Sequence, residues 1–350
     1  MEGSDLPGSE ERTVRVLEAL RRGAVIPAHP LALTAQQKLD ERRQRALSRY
    51  YLAAGAGGLA VGVHTTQFQI HDPDCGLLEP VLTLAAEEMD RHERSRQTPL
   101  ILVAGICGAT PQAVKEAGLA RDLGYDLGLL SFRGCDAEGV DALVAHCRAV
   151  AESIDLFGFY LQTSVGGRAL PYEFWRQFCT IDEVRAIKIA AFDRYRTIDV
   201  VRAVAESGRD DVALYTGNDD NIVLDLITPY TFTCSGQSVT RRMAGGLLGQ
   251  WAVWTRRAVE LWERCRTATD NLGNSPVASG SIDEQLLALA VKLTDANGAI
   301  FDAAHGFRGC VPGIHEVLRR QGMLTGTWCL NPTENMSPGQ DAEIERVADA

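Results

Sequence analysis

Apolar and polar positions alternate along this chain on two length scales. Short apolar runs rich in Val, Ile, Leu and Gly are separated by longer stretches in which apolar residues recur at helical spacing. Ala24–Leu33, Gly58–His64, Leu100–Ile106, Leu127–Ser131, Asp155–Gln162, Val184–Ala190, Val212–Gly217 and Thr231–Gly236 read as strands, and segments such as Pro111–Leu123 and Asp136–Ser153 as the helices between them. Several runs are apolar on both faces, as parallel strands are when helices cover the sheet. Eight consecutive βα units predict an α/β fold of the (β/α)8 TIM barrel type. A doubly wound open sheet shares the alternation, but the first strand leads into Pro-Leu-Ala-Leu-Thr (30–34) and not into G-x-G-x-x-G. Gly55, Gly57 and Gly58 precede the second strand and read as a helix end.

Beyond Gly236 the pattern turns helical, over Val239–Thr267, Ser281–Phe301 and Gly313–Gln321, with turn-forming Gly, Asn and Pro at Asn271–Pro276 and His305–Pro312. The predicted organisation is a disordered tail at 1–12, the barrel at 13–236, a C-terminal helical extension packed on it at 237–330, and a polar tail at 331–350.

Charge narrows the partners. A formal net charge of −11 provides no basic field to hold nucleic acid or an anionic membrane surface. No apolar run approaches the ~20 residues of a bilayer span, and the acidic, polar start MEGSDLPGSEER is unlike a secretory signal, so a cytoplasmic protein is expected. The nine cysteines are thinly spread and form no C-x-x-C pair, which predicts reduced, mostly buried thiols and no metal site.

Within that frame one side chain stands out. The chain has four lysines against 31 arginines, and one of the four, Lys188, sits inside the apolar strand Val-Arg-Ala-Ile-Lys-Ile-Ala. Period 2 places Val184, Ala186, Lys188 and Ala190 on one face. Burial among small residues disfavours the ammonium form, which suits a Schiff-base lysine because only the neutral amine attacks a carbonyl. The alternative is a structural lysine whose head pairs with Asp193 or Asp219. Tyr160 lies one βα repeat earlier, 28 residues before Lys188, where adjacent strands can bring a phenol and an amine to one carbon; otherwise it is an ordinary barrel tyrosine. The second strand ends in His64-Thr65-Thr66, hydroxyls able to donate to a carboxylate. Gly217-Asn-Asp-Asp220 after the seventh strand reads as a helix cap. His29, the stripe Trp251, Trp254, Ala258 and Leu261, and the group His305, Cys310 and His315 read as structural or unassigned.

Taken together these residues resemble the dihydrodipicolinate synthase/N-acetylneuraminate lyase family of class I aldolases. Gly23-Ala-Val-Ile-Pro-Ala28 is similar to its first-strand segment, His64-Thr-Thr-Gln67 stands where members carry G-T-T-G-E, and Ile101–Gly105 with Ala109-Thr-Pro-Gln-Ala113 resembles its third-strand region. Phe159-Tyr160 with Gly166-Gly-Arg168 occupies the place of Y-N-x-P…G, Ala186-Ile-Lys188 matches g-I-K, and Gly217-Asn-Asp219 is similar to G-d-D. The resemblance implies that Lys188 forms an imine with pyruvate or a pyruvate-containing 2-oxo acid, that Tyr160 shuttles protons, and that Thr65 and Thr66 hold the carboxylate. His64, Arg168 and Gly217 complete the implied substrate-binding set. It implies no cofactor and no metal, a small-molecule 2-oxo acid as partner, and a homo-oligomer, dimer or tetramer. Departures at His64, Gln67, Phe68, Ser131-Phe-Arg-Gly134 and the loop after Tyr160 point away from dihydrodipicolinate synthase itself. The expected activity is a lyase or aldolase; a dehydratase of a sugar-derived 2-oxo acid would use the same lysine, and a non-catalytic metabolite-binding descendant is the rival of another class.

Overall fold

Eight short parallel strands close into a barrel in the computed structural model, which describes residues 7–94, 96–272 and 282–348. They are β1 (Val25–Pro27), β2 (Gly58–Val61), β3 (Ile101–Ile106), β4 (Leu127–Leu130), β5 (Leu156–Leu161), β6 (Val184–Ala190), β7 (Ala213–Thr216) and β10 (Met243–Leu248). Between β7 and β10 the strands β8 (Tyr230–Cys234) and β9 (Gln237–Arg241) form a separate antiparallel hairpin. The barrel closes between β1 and β2, where the His29 N–H donates to the Ala60 carbonyl at 2.8 Å and the Gly57 N–H to the Val25 carbonyl at 3.0 Å. Alternate strand residues fill the interior, among them Ile26, Ala60, Val103, Leu129, Phe157 and Leu247, while their neighbours in sequence pack outward against the helices.

The two mouths are covered by different parts of the chain. At the N-terminal ends of the strands, helix Pro7–Arg22 inserts Val16, Ala19 and Leu20 into the inner cluster. It is tied down by Arg12, which pairs with Asp126 and with Glu93, and by the Tyr215 hydroxyl, which donates to the Leu20 carbonyl at 2.8 Å. The opposite mouth lies under the C-terminal helices Glu284–Ile300 and Cys310–Arg320. Among the described residues no helix is long and apolar enough to cross a membrane.

Several sequence expectations are corrected. Thr231–Gly236 is not the eighth barrel strand: its residues alternate between half-buried and exposed because the hairpin presents one face to solvent. The eighth strand is β10, which runs through Gly245 and Gly246, so the barrel extends past 236 and the helix expected from Val239 begins only at Thr255. Residues 7–12, expected to be disordered, are helical; 1–6 lie outside the described residues. The polar tail contains helix Gln340–Ala348, held by buried Gln340, Ile344 and Val347. The expected turn Asn271–Pro276 falls mostly outside the described residues.

Candidate active site

Lys188 is positioned by β6, with Phe159 of β5 and Tyr215 of β7 as its register partners. Its stem passes over Gly217, where an added Cβ would lie 2.5 Å from the lysine Cε, so the strand end must be glycine for the lysine to occupy this path. Nζ stands 4.4 Å from the centroid of the Phe159 ring. Only 6% of the residue is exposed, and among the described residues Nζ has no hydrogen bond and no ion pair within 4.0 Å. Burial lowers the lysine pKa, and the charge of Asp219 offsets part of that shift.

The two carboxylates considered as structural partners behave differently. Asp193 caps helix Arg194–Ser207, accepting the Arg196 N–H at 3.1 Å. Asp219 does not act as a helix cap; it lines the lysine pocket. One of its oxygens, Oδ1, accepts the Gln250 N–H at 3.0 Å, and its main-chain carbonyl accepts from Asn297 Nδ2 at 2.6 Å. Burial pushes the Asp219 carboxyl up from the ordinary aspartate range, against the Gln250 hydrogen bond and the charge of Lys188. The turn that carries it is fixed by Asn218, whose Oδ1 accepts the Phe192 N–H at 2.9 Å and whose Nδ2 donates to Asp225 at 2.9 Å.

Thr65 and His64 reach the same pocket from the loop after β2. The Thr65 hydroxyl is buried there without a hydrogen-bond partner, a cost that a bound acceptor would remove. Burial lowers the His64 pKa to about 4, with Lys188 and Arg133 adding to the shift, so its ring is neutral near pH 7. Thr66 faces the other way: its hydroxyl donates to the His29 carbonyl at 2.6 Å and accepts the Gly62 and Val63 N–H groups at 3.0 and 3.2 Å. Thr66 therefore locks the loop that presents Thr65.

Tyr160 and Arg168 are not brought to the lysine. At the start of β5 and β6, Leu156 pairs with Val184, an offset of 28; a β-bulge at Arg185 raises the offset to 29, so Phe159 and not Tyr160 pairs with Lys188. A one-residue slip moves a side chain to the opposite face of the strand. Tyr160 accordingly points outward, its ring tilted against that of Trp175 at 5.4 Å between centroids, with its hydroxyl on the main chain of Leu170 at 3.2 Å. The same bulge puts Val184 outside while Ala186 and Ala190 stay inside. The Arg168 guanidinium donates to the carbonyls of Ala137 and Cys135 at 2.7 and 3.2 Å.

With this geometry the chain compares directly with solved structures. Dihydrodipicolinate synthase from Oceanobacillus iheyensis superposes with a TM-score of 0.73 at 18% identity, covering 95% of this chain and 98% of that one. The chain has the fold of that enzyme. N-acetylneuraminate lyase from Fusobacterium nucleatum gives 0.70 at 14% identity, covering 95% and 99%, and its structure complexed with pyruvate gives 0.70 at 15%, covering 95% and 97%. No family model and no curated protein matches the sequence. At these identities the likeness to the synthase and the lyase carries the barrel and its C-terminal helices.

The roof of the pocket went unread in the sequence. Phe301, Phe307, Cys310 and Ile314 of the C-terminal segment close over Lys188, leaving a cavity of about 50 Å³. Phe307 packs edge-on against Phe192 at 5.7 Å, joining the roof to the loop that follows β6. The roof is also bonded to the β2 loop, where Gln67 Oε1 accepts the Leu330 N–H at 2.6 Å. Other residues left open are settled as structural: His29 is satisfied by the Pro30 carbonyl and the Ser48 hydroxyl, and Trp251, Ala258 and Leu261 are core.

Proposed function

We propose that this chain is a divergent member of the dihydrodipicolinate synthase/N-acetylneuraminate lyase family, a lyase that forms an imine between Lys188 and pyruvate or a pyruvate-containing 2-oxo acid. The observation that carries this reading is Lys188: a buried amine with no ion-pair partner, at the C-terminal end of a barrel strand, in a pocket roofed by the C-terminal segment. A lysine kept for structure would be paired or solvated at its head. Burial instead favours the neutral amine, the nucleophile that attacks a carbonyl carbon. The cavity beside it, about 50 Å³, exceeds the roughly 10–15 Å³ that a single water needs, so a small polar ligand can enter.

The remaining groups supply the other steps. Thr65 Oγ1 donates to the carboxylate of the 2-oxo acid, which satisfies its buried hydroxyl. Lys188 Nζ adds to the 2-oxo carbon, and the resulting hydroxyl leaves as water with a proton from Asp219. The Asp219 carboxylate then accepts a proton either from the carbon beside the imine or from a hydroxyl farther along. In the second case the intervening C–C bond breaks and its electrons pass into the imine. Its raised pKa keeps both protonation states within reach near neutrality. Proton transfer falls to Asp219 in this scheme because the Tyr160 hydroxyl is engaged outside the barrel. Aldol cleavage and loss of water draw on the same imine, and neither calls for a metal or cofactor in the Lys188 pocket. The reading carries with it the expectation of a cytoplasmic homo-oligomer.

The test is intact-protein mass spectrometry after incubation with pyruvate and borohydride, with Lys188→Ala alongside. One reduced pyruvate per chain, mapped to Lys188 and absent from the variant, is the expected outcome. No adduct with pyruvate or with a panel of other 2-oxo acids would overturn the imine reading in favour of a non-catalytic binding protein.

A further inference from the structure

On the flank of the barrel, outside the lysine pocket, three side chains from separate elements converge. His71 closes the short turn Phe68–His71 after β2, Cys107 follows β3, and Glu116 stands on helix Thr110–Asp122. One ligand atom of each, the imidazole nitrogen, the sulfur and a carboxylate oxygen, lies within 4.8 Å of the other two, and all three residues are buried. None of them lines the Lys188 pocket. We propose that His71, Cys107 and Glu116 bind a divalent cation of the zinc class.

The hydrogen bonds around the cluster make the case. His71 Nε2 is 2.7 Å from the Gly62 carbonyl, which can only accept, so Nε2 carries a proton and donates it. In the neutral ring that bond leaves the lone pair on Nδ1, the arrangement in which histidine ligates metals through one nitrogen and is oriented through the other. Nδ1 faces Glu116 Oε2 at 2.9 Å. Oε2 already accepts the Cys107 N–H at 3.0 Å, and Oε1 accepts from Gln112 Nε2 at 2.8 Å. Two acceptors in contact need a positive species between them. A proton would satisfy that pair alone, but the Cys107 sulfur converges as a third donor, and one sulfur, one imidazole nitrogen and one carboxylate oxygen form a zinc-type set.

The approach to the cluster also favours a cation. A cleft of about 690 Å³ reaches His71 and Glu116 from the surface, and Glu41, Asp72 and Glu79 stand on its walls, with Lys115 the one lysine or arginine among the described residues that line it. Water entering from the cleft would supply the fourth ligand. A bound ion would cross-link the β2 loop that carries Thr65 to β3 and the following helix. This inference stands apart from the imine reading, since neither needs the other.

The experiment uses the untagged full-length chain, stripped with chelator and titrated with Co2+ as the probe. One equivalent should bind with a thiolate-to-cobalt charge-transfer absorption in the near ultraviolet and four-coordinate d–d bands in the visible, and Zn2+ should displace it. Cys107→Ser and His71→Ala lose both bands and Cys75→Ser keeps them. Gln112→Ala, which removes a bond to the ligating carboxylate, weakens binding by about 10–100-fold. X-ray absorption of the zinc-loaded unmodified chain, which needs no variant to fold, should show one sulfur at about 2.3 Å with nitrogen and oxygen at about 2.0–2.2 Å. Absence of the cobalt bands, their survival in Cys107→Ser, or a sulfur-free zinc shell would overturn the proposal and leave a buried imidazolium–carboxylate pair.

Discussion

The two mouths of the barrel are both plugged by helix, but their polar groups are left in opposite states. At the N-terminal mouth the polar groups that meet the plugging helix have partners: the Tyr215 hydroxyl with the Leu20 carbonyl, and Arg12 with Asp126 and Glu93. At the C-terminal mouth Lys188 Nζ has no ion pair, the Thr65 hydroxyl has no hydrogen-bond partner, and burial holds the Asp219 carboxyl above its ordinary range. Satisfied burial stabilises a fold, whereas buried groups without partners cost stability and persist where a ligand completes them. The difference marks the C-terminal mouth as the end where a ligand would relieve buried polar groups, and perturbing each end should separate the proposed activity from stability.

The largest expected effect is at Asp219. Asp219→Asn should cut turnover of any accepted 2-oxo acid by about 10²–10⁴-fold, the range for a general acid–base group, while the borohydride-trapped adduct still forms, more slowly because the departing hydroxyl must take its proton from water. The pH dependence of trapping adds a sign. Only the neutral amine attacks, so under conditions where attack on the carbonyl limits trapping, a lysine lowered from 10.5 to about 8 gives a rate that climbs with pH and levels off above about 8. An unshifted lysine would go on climbing toward 10.5. Because the charge of Asp219 raises the Lys188 pKa, its removal should move the inflection to lower pH. An unmoved inflection, or full turnover in the variant, would take Asp219 out of the mechanism.

How far the sequence foretold this arrangement depended on whether each feature is local. Strands β1 to β7 were legible from apolar runs spaced as βα units, and Lys188 from its place in one of them. The eighth strand was mistaken, although spacing held a warning. Thr231 starts only 19 residues after Val212, little room for a helix and a return, whereas β10 begins 30 residues after β7. Tyr160 was misplaced by the bulge at Arg185, since counting assumes an unbroken register and both faces of Leu-Phe-Gly-Phe-Tyr-Leu are apolar. Asp219 was in view as a partner for the lysine, but its backbone bond to Gln250 joins segments 31 positions apart. The phenylalanine roof and the His71, Cys107 and Glu116 cluster are tertiary features, and no spacing within one element announces them.

A smaller effect is expected at Thr65. A hydrogen bond to a charged group contributes about 1.5–3 kcal/mol, so Thr65→Val should raise the KM or Kd for the 2-oxo acid by roughly 10–100-fold. Its effect on the ligand-free protein has the opposite sense from the usual loss of a polar contact. The hydroxyl has no partner to lose, and replacing it with a methyl of similar shape should leave the Tm unchanged or slightly higher. A Tm that falls together with unchanged ligand affinity would make Thr65 structural.

The smallest effect belongs to the opposite mouth and completes the contrast. Tyr215 is the register partner of Lys188 on β7, yet its hydroxyl is directed to the plugging helix and its ring packs edge-on against Phe157 at 5.3 Å. Tyr215→Phe keeps the ring and removes one buried hydrogen bond, which should cost about 0.5–1.5 kcal/mol in denaturant unfolding. The rate and pH profile of adduct formation on Lys188 should not change, because the deleted oxygen lies at the other end of the barrel interior. A trapping defect with intact stability would instead couple the two mouths through the β6–β7 pair. The absence of one is what an N-terminal plug serving stability alone requires.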